Sequence, residues 1–231
     1  MTTNQVSASA PLGFSELSVP IPSHTCLFYY DDEELRAKLG FVRIGLETDD
    51  QAVVLFGPAR RLKQVLGYVA QDLGRNVSDD LATGKIVLLD DIDGESNADS
   101  LLAGIGGGLD ELMARGVTLI RFLGFIGWQD PAWPDHEQLL AFESRVNQAA
   151  AQYPSVVLCT YRLTDVPGPL LIYGGIETHP LTIIGQTICE NPHYVVRADQ
   201  ATAADAAPPW MSPDRAKFRG LRIQRQEDSG P

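Results

Sequence analysis

The chain has 231 residues, and its 30 acidic side chains outnumber its 18 basic ones, which gives a formal net charge of −12 at pH 7. The hydrophobic fraction of 44% and the charged fraction of 21% are typical of a soluble globular protein long enough to bury its own core. An acidic body of this kind repels phosphate backbones, so we expect no direct contact with nucleic acid.

The sequence contains no run of about 18 apolar residues, so no membrane-spanning helix is predicted. Its first residues lack the basic and apolar regions of a secretion signal, which predicts a cytoplasmic location. The three cysteines, Cys26, Cys159 and Cys189, have no paired spacing and argue against a disulfide framework.

Composition divides the chain into three parts. Residues 1–19 are rich in Ser, Thr, Ala and Pro and are predicted to form a flexible N-terminal segment. Residues 20–198 carry the alternating apolar patterns of one folded domain. Residues 199–231 contain a proline pair and a run of basic side chains, which predicts a linker and a basic C-terminal tail.

A strand, a helix and a second strand open the domain. The apolar run 26–30 predicts a buried parallel strand, and Asp31 and Asp32 predict the N-terminus of a helix, where carboxylates favour the helix dipole. Apolar residues at helical spacing predict one continuous helix to Leu46, followed by a strand over 52–58. The core face of this helix is predicted to consist of Leu35, Leu39, Val42 and Leu46.

The same alternation continues along the domain. Helices are predicted over 60–73, 76–82, 99–115 and 135–151, and strands over 85–90, 117–124 and 155–161. The run 181–184 is predicted to pair with 194–196. The fold class is therefore α/β, with three layers, a mostly parallel sheet, helices on both faces and an antiparallel edge near the C-terminus.

Common nucleotide and hydrolase motifs are missing from the sequence. A P-loop needs GxxxxGK[ST] after the first strand, but residues 29–34 read Tyr-Tyr-Asp-Asp-Glu-Glu. The glycines at 104 and 106–108 lie inside a predicted helix, which favours close helix packing or a kink over phosphate binding. Because GxSxG, HExxH and EF-hand patterns are also missing, we predict that the chain is not an enzyme.

Four short motifs resemble one known family in their order and spacing. They are His24-x-Cys26-x-Phe28-Tyr29, Leu158-Cys159-x-Tyr161, His179-Pro180 with Gly185, and Glu190-Asn191-Pro192-x-Tyr194. Over residues 20–197 the chain resembles the MEDS domain, the methanogen/methylotroph sensory domain named from the dichloromethane regulator DcmR. This resemblance implies a degenerate RecA-like or KaiC-like fold, a role in sensing hydrocarbon derivatives, and frequent fusion to DNA-binding or kinase modules.

The motif residues include possible ligands for a metal or haem. His24 and Cys26 are two apart on a strand and share one face. Further ligands could come from Cys159, His179, Cys189 and His193. No closely paired spacing anchors a zinc site, however, and cysteines in central strands usually pack as small apolar residues. We therefore predict no cofactor and hydrogen-bonded structural histidines, with the metal site as the alternative.

Open α/β sheets bind ligands outside the carboxyl ends of their strands. Aromatic rings with a few polar groups at these ends suit a small, partly apolar molecule. Its predicted binding residues are Tyr29, Tyr30, Asp90, Trp128, Trp133, Tyr161 and Arg162. In the alternative, Trp128 and Trp133 only cover the core.

These inferences predict a non-enzymatic cytoplasmic sensory or signalling domain. It would bind the small molecule and relay its state to a regulatory protein partner, a kinase or a transcription regulator, or to a second copy in a homodimer. Contact with a membrane is not expected. One alternative is a divergent nucleotide-binding protein in which Asp90 and Asp91 hold a metal. Another is a pure protein-interaction module that docks through its acidic face or basic tail.

Overall fold

The computed structural model describes residues 8–90, 92, 95–127, 130 and 133–194. Within these residues, helices cover both faces of a central sheet, which confirms the predicted three-layer α/β fold. The predicted linker and basic tail, residues 199–231, lie outside the described residues.

The central sheet is parallel except at one edge. In chain order the strands of the described residues are β1 (Ser9–Pro11), β2 (Ser18–Pro20), β3 (Ser23–Tyr29), β4 (Gln51–Phe56), β5 (Ile86–Leu89), β6 (Leu119–Phe125), β7 (Ser155–Arg162), β8 (Leu181–Ile184) and β9 (Thr187–Glu190). Their order across the central sheet is β5-β4-β6-β7-β3-β8-β9, and the β8–β9 pair is antiparallel. Every residue of β3 and β6 is buried, as expected for strands covered on both faces.

The helices form two layers with separate cores. They are α1 (Asp32–Lys38), α2 (Gly40–Leu46), α3 (Ala59–Leu73), α4 (Ser78–Ala82), α5 (Ala98–Ala114), α6 (His136–Ala150), the turn α7 (Gly168–Leu170) and a π-helix over Leu171–Ile176. Residues of α1, α2 and α3 pack on one face of the sheet, and residues of α5 and α6 pack on the other. The predicted core face of the first helical segment is buried as expected: Leu35, Leu39, Val42 and Leu46.

The first helical segment is divided in two, so the prediction of one continuous helix to Leu46 was wrong. The α1 helix ends at Lys38 and α2 begins at Gly40. An added Cβ on Gly40 would stand 2.1 Å from the carbonyl oxygen of Gly13. The break therefore occurs where the N-terminal segment and the helix approach each other so closely that only a glycine fits.

A flexible segment is expected over 1–19, but residues 9–20 form regular structure, and residues 1–7 lie outside the described residues. β1 and β2 form an antiparallel ribbon in which Ala10 and Val19 are each 1% exposed. The buried guanidinium of Arg121 in β6 donates a hydrogen bond of 2.9 Å to the carbonyl oxygen of Pro11. Apolar burial and this hydrogen bond hold the ribbon on the domain, and neither is visible in a composition count.

The antiparallel edge near the C-terminus is confirmed, and among the described residues its outer strand is β9. β8 pairs with β9, with Ile184 opposite Thr187. The two-residue connection contains Gly185 at φ +59°, a conformation that glycine favours in tight hairpins. This short turn brings Thr187–Glu190 back against β8. Residues 195 and 196 of the run predicted as the partner, 194–196, lie outside the described residues.

The glycine-rich helix α5 runs without a break through Gly104, Gly106 and Gly107. Close packing does not explain Gly104 or Gly107, because an added Cβ at either would meet nothing within 4 Å. An added Cβ on Gly106 would lie 3.8 Å from the hydroxyl of Tyr153. The helix is therefore continuous across these glycines, and Gly106 lines a cavity between α5 and α6.

Candidate functional site

A cavity of about 210 Å³, here called the strand-end cavity, lies where β3, β4, β6 and β7 end. The chain leaves β4 toward α3 on one face and β6 toward α6 on the other, so the cavity occupies the kind of switch point where α/β folds bind ligands. Its apolar wall includes Pro58, Phe125, Ile126 and Val166, and its polar residues include Tyr29, Arg61, Asp130, Thr160, Arg162 and Asp165.

The two guanidinium groups of the strand-end cavity are held differently. Arg61 donates hydrogen bonds to Asp32 at 2.9 Å and to the Tyr29 hydroxyl at 2.8 Å. Among the described residues, Arg162 makes long contacts, 3.4 Å to the carbonyl oxygen of Tyr30 and 3.5 Å to Asp165. Arg61 is thus fixed in the wall, and Arg162 is the cation better able to turn toward a ligand.

The electrostatics around Arg61 follow from this hydrogen bonding. Burial raises the pKa of Tyr29, and the nearby Arg61 opposes that increase. Burial alone would also raise the pKa of Asp32, but the hydrogen bond and charge of Arg61 bring it below its ordinary value. Asp32 therefore remains ionised and keeps Arg61 in place.

Carboxylate side chains accept hydrogen bonds from the backbone amides at the junction of β3 and α1. Glu34 Oε2 accepts a hydrogen bond of 2.8 Å from the amide of Tyr30, and Asp31 Oδ1 accepts one of 2.9 Å from the amide of Glu34. In a P-loop the amides of this junction would face a phosphate. Acidic side chains fill that position here, which gives the nucleotide-binding alternative no support at this junction.

Two of the seven predicted binding residues, Tyr29 and Arg162, line the strand-end cavity. Tyr30 is next to Arg162 and is 61% exposed. Asp90 lies in the wall of a different cavity beside α5. Trp128 lies outside the described residues.

Trp133 and Tyr161 are core residues, which differs from their expected place at the strand ends. Trp133 is 5% exposed and meets Phe56 edge-on with a centroid distance of 5.4 Å, as the core-covering alternative expects. Tyr161 is fully buried. Residues along β7 alternate between the two faces of the sheet, and Tyr161 belongs to the core cluster on the face covered by α5 and α6. Its side chain therefore lies on the α6 face, away from the strand-end cavity.

A second cavity, of about 150 Å³, lies between the sheet, α5 and α6, and is here called the helix-side cavity. Its wall is mostly apolar and includes Phe142 and Val157, with Gly106 where α5 leaves space. Ile126 belongs to the walls of both cavities, and Cys159 is part of the wall of the helix-side cavity. The helix-side cavity therefore borders a buried polar side chain, the thiol of Cys159.

Four polar side chains meet in that core and form what is here called the buried cluster. They are His24 of β3, Glu143 of α6, Cys159 of β7 and His179, which precedes β8. Each side chain is at most 2% exposed. One potential ligand atom from each residue lies within 4.8 Å of those from the other three.

Short distances connect the members of the buried cluster. His24 Nε2 lies 3.3 Å from the Sγ of Cys159 and 3.6 Å from Oε2 of Glu143. His179 Nε2 also lies 3.6 Å from that carboxylate oxygen. Two imidazoles, a carboxyl group and a thiol in this arrangement could exchange protons or ligate a transition metal.

A layer of hydrogen bonds surrounds the buried cluster. The Tyr161 hydroxyl lies 3.0 Å from Oε1 of Glu143 and 2.6 Å from the carbonyl oxygen of Gly174, so both are acceptors for its proton. His179 Nδ1 lies 2.8 Å from the carbonyl oxygen of Gly175. Both carbonyl groups belong to the π-helix, an irregular element that frequently occurs at functional sites.

Burial shifts the pKa values of His179, Cys159 and the neighbouring Tyr161. It lowers the pKa of His179 well below its ordinary value, and the nearby His24 lowers it further. It also raises the pKa values of Cys159 and Tyr161 well above their ordinary ranges, and the charge of Glu143 adds to both increases. The imidazole of His179 is therefore neutral, and the thiol and phenol keep their protons unless a cation enters the cluster.

Residues 23–180, more than half of the chain, match the family model of MEDS, the methanogen/methylotroph, DcmR sensory domain. The chain belongs to the MEDS family. No curated protein matches it. The family is described as sensory, which is consistent with a sensory or signalling role for this MEDS domain. No helix among the described residues is long and apolar enough to cross a membrane.

Three of the four motifs on which the MEDS resemblance rests converge on the buried cluster. His24, Cys159 and His179 belong to it, and Tyr161 contacts its carboxyl group. Cys26 is also buried and lies opposite Cys159 in the pairing of β3 with β7, but it is not one of the four residues. The pairing of parallel strands thus brings together residues that are far apart in the sequence.

Sequence reasoning missed Glu143. Glu143 lies four residues after Leu139 and three before Val146, so it belongs to the apolar stripe of α6 that faces the core. Burying a carboxyl group in an apolar stripe raises the free energy of the folded state unless the group has polar partners. The acidic residue in this stripe therefore indicates that polar partners lie nearby. Arg61 of the strand-end cavity was missed because nothing in the α3 sequence distinguishes it from its neighbour Arg60.

Proposed function

We propose that this MEDS domain binds a small, partly apolar molecule in the strand-end cavity and relays its state to a protein partner. The observation that carries the proposal is the composition of that cavity. Phe125, Ile126 and Val166 offer an apolar wall, and Arg162 offers a loosely held cation at the rim. A molecule with a short apolar part and a polar or anionic group complements both features.

Arg162 is the residue most directly involved in recognition. Its guanidinium is about one-third exposed and its contacts with neighbouring oxygens are long, so reorienting it breaks no strong hydrogen bond. A carboxylate, hydroxyl or halogen on the ligand could replace these contacts. Arg61 supports the site differently, because its bonds to Asp32 and Tyr29 hold the opposite wall still.

Exposed apolar side chains next to the cavity support the relay to a partner. Tyr30 is 61% exposed and Leu163 is 44% exposed, and they flank Arg162. The amide of Leu163 donates to the carbonyl oxygen of Tyr29 at 2.9 Å, which connects this surface to the cavity wall. A ligand that reorients Arg162 favours one arrangement of the loop after β7, and a kinase, a transcription regulator or a second copy reads that arrangement.

The test is a calorimetric and thermal-shift screen of short-chain alcohols, carboxylates, amines and halogenated hydrocarbons with the wild-type protein and two charge variants. Arg162→Met removes the proposed recognition group but keeps an unbranched side chain. Arg60→Met makes the same charge change on an exposed residue outside the cavity wall.

We expect at least one compound to stabilise the wild-type protein and Arg60→Met equally. Arg162→Met should lower the affinity for that compound by about tenfold, the change expected when one charge-assisted contact is lost. An equal response from all three proteins would contradict the assignment of the ligand to the strand-end cavity. No response to any compound in the screen would contradict the ligand-binding proposal itself.

A further inference from the structure

The buried cluster has the dimensions of a metal coordination shell. Zinc bonds of about 2.0–2.1 Å to nitrogen or oxygen and about 2.3 Å to sulfur give a tetrahedron with edges of roughly 3.3–3.6 Å. His24 Nε2 lies 3.3 Å from the Sγ of Cys159 and 3.6 Å from Oε2 of Glu143, and His179 Nε2 lies 3.6 Å from the same oxygen. Three of the six separations between donor atoms thus match tetrahedral edges, and the four ligand atoms all lie within 4.8 Å of one another.

Two of these donor atoms lack hydrogen-bond partners among the described residues. They are Oε2 of Glu143 and Nε2 of His179, and both side chains are 0% exposed. A buried polar atom without a partner destabilises a fold unless something else satisfies it. Because both atoms point into the same small space, one cation between them would satisfy both.

Hydrogen bonds around the cluster orient His179 so that its Nε2 can bind a metal. Its Nδ1 lies 2.8 Å from the carbonyl oxygen of Gly175 and 2.8 Å from Oγ1 of Thr178. The Thr178 hydroxyl donates its own proton to the carbonyl oxygen of Gly174, so both neighbours of Nδ1 can accept, and Nδ1 carries the proton. In the neutral ring, Nε2 then has a free electron pair directed at Glu143. A backbone carbonyl behind the distal nitrogen is the usual support of a metal-bound histidine.

Charge balance favours a divalent ion. A carboxylate and a thiolate together carry two negative charges and neutral imidazoles carry none, so a 2+ ion makes the four-residue centre neutral. Without an ion, an ionised Glu143 would be a buried charge with no cation among the neighbours that contact it. Magnesium and calcium prefer all-oxygen sites, whereas a nitrogen, sulfur and oxygen set suits zinc or a similar borderline metal.

We propose that His24, Glu143, Cys159 and His179 form a closed, four-ligand centre for a zinc-class divalent ion. Cys159 binds as the thiolate, and its proton passes to solvent. With all four positions filled by protein, the ion has a structural role and fastens α6 and the segment before β8 to β3 and β7. A small opening lined by Ser23, His24 and Asn147 gives the ion a route from the surface.

The proposal goes beyond ligand sensing and does not depend on it. Its test uses the full chain, freed of metal by a chelator and then dialysed against buffer with a slight excess of zinc. Bound zinc is measured by elemental analysis and by native mass spectrometry. The chain offers a matched pair of variants, Cys159→Ser and Cys26→Ser, because the two buried cysteines lie opposite each other on neighbouring strands.

We expect about one zinc ion per chain in the wild-type protein and in Cys26→Ser, and at least a tenfold loss of zinc affinity in Cys159→Ser. Wild-type protein that folds but takes up no zinc would overturn the proposal. Equal zinc binding by both cysteine variants would overturn it as well, because Cys159 would then not be a ligand.

A second measurement does not depend on the variants folding. Wild-type protein loaded with cobalt(II) should show the intense visible bands of a tetrahedral ion and a near-ultraviolet thiolate-to-cobalt band, and zinc should abolish both. Weak octahedral bands without thiolate absorption would contradict the centre. The small-molecule screen reports on a different cavity, so its failure would leave this result standing, and the reverse also holds.

Discussion

The imidazole rings of His24 and His179 lie 3.9 Å apart between centroids, although they come from opposite ends of the MEDS match. They meet because β3 pairs in parallel with both β7 and β8, which places the residue before β8 beside the start of β3. Both Nε2 atoms face the same oxygen of Glu143 at 3.6 Å. Two histidines and a carboxylate in the core are therefore one structural unit.

Replacement of His179 tests this unit. His179→Gln keeps a polar side chain of similar size but removes the imidazole, and it should lower zinc affinity by at least about tenfold. His193→Gln makes the same change on an exposed histidine and should have no effect. The measurement is competition with a chromogenic zinc chelator, and similar affinities for the two variants would remove His179 from the centre.

The close approach between the N-terminal segment and the helices can be tested by adding one methyl group. Gly40→Ala would place a Cβ 2.1 Å from the carbonyl oxygen of Gly13, so we expect a loss of about 1–3 kcal/mol in unfolding free energy. Gly67→Ala in α3 meets nothing within 4 Å and should stabilise the protein by up to about 1 kcal/mol. Urea denaturation of both variants measures this, and a Gly40→Ala protein as stable as the wild type would show that the two segments are not in contact.

The core role of Trp133 leads to a prediction that separates stability from binding. Trp133→Ala should cost about 3–5 kcal/mol of unfolding free energy, and Trp133→Phe should cost less because a ring remains against Phe56. The Trp133→Phe protein should still bind the small molecule with wild-type affinity, since this side chain is not in the wall of the strand-end cavity. A Trp133→Phe protein that keeps its stability but no longer binds would restore Trp133 to the ligand site.

Much of the fold could be predicted from periodicity, since the strands and helices between residues 26 and 162 lie close to their predicted positions. The break at Gly40 and the ordered ribbon depend on contacts between distant segments, which local patterns do not encode. The β8–β9 hairpin depends on the tight turn at Gly185, which apolar periodicity alone does not mark.

The candidate sites were less predictable than the fold. Tyr29 and Arg162 were correctly expected at the carboxyl edge, because a residue at the end of a parallel strand must lie there. Tyr161 was misplaced because the alternation of β7 decides which face a side chain occupies, and that face was not assigned. The buried position of Glu143 can be predicted only if a carboxyl group within the apolar stripe of α6 is recognised as a sign of a polar cluster.

The helix-side cavity offers a test of where the ligand binds. Gly106→Leu would fill this cavity, whereas Gly107→Leu adds the same side chain on the exposed side of α5. Both changes remove a helical glycine and should raise stability by up to about 1 kcal/mol from helix propensity. With the ligand in the strand-end cavity, both variants should bind it with wild-type affinity in calorimetry. Loss of binding in Gly106→Leu alone would place the ligand in the helix-side cavity.

The claim that four buried side chains form one metal centre is tested most directly by anomalous X-ray diffraction from crystals of the zinc-loaded protein. Data collected on both sides of the zinc absorption edge should show one strong peak within bonding distance of Nε2 of His24 and His179, Oε2 of Glu143 and Sγ of Cys159. A zinc peak elsewhere on the chain, with hydrogen-bonded or separated side chains in the buried cluster, would contradict the claim.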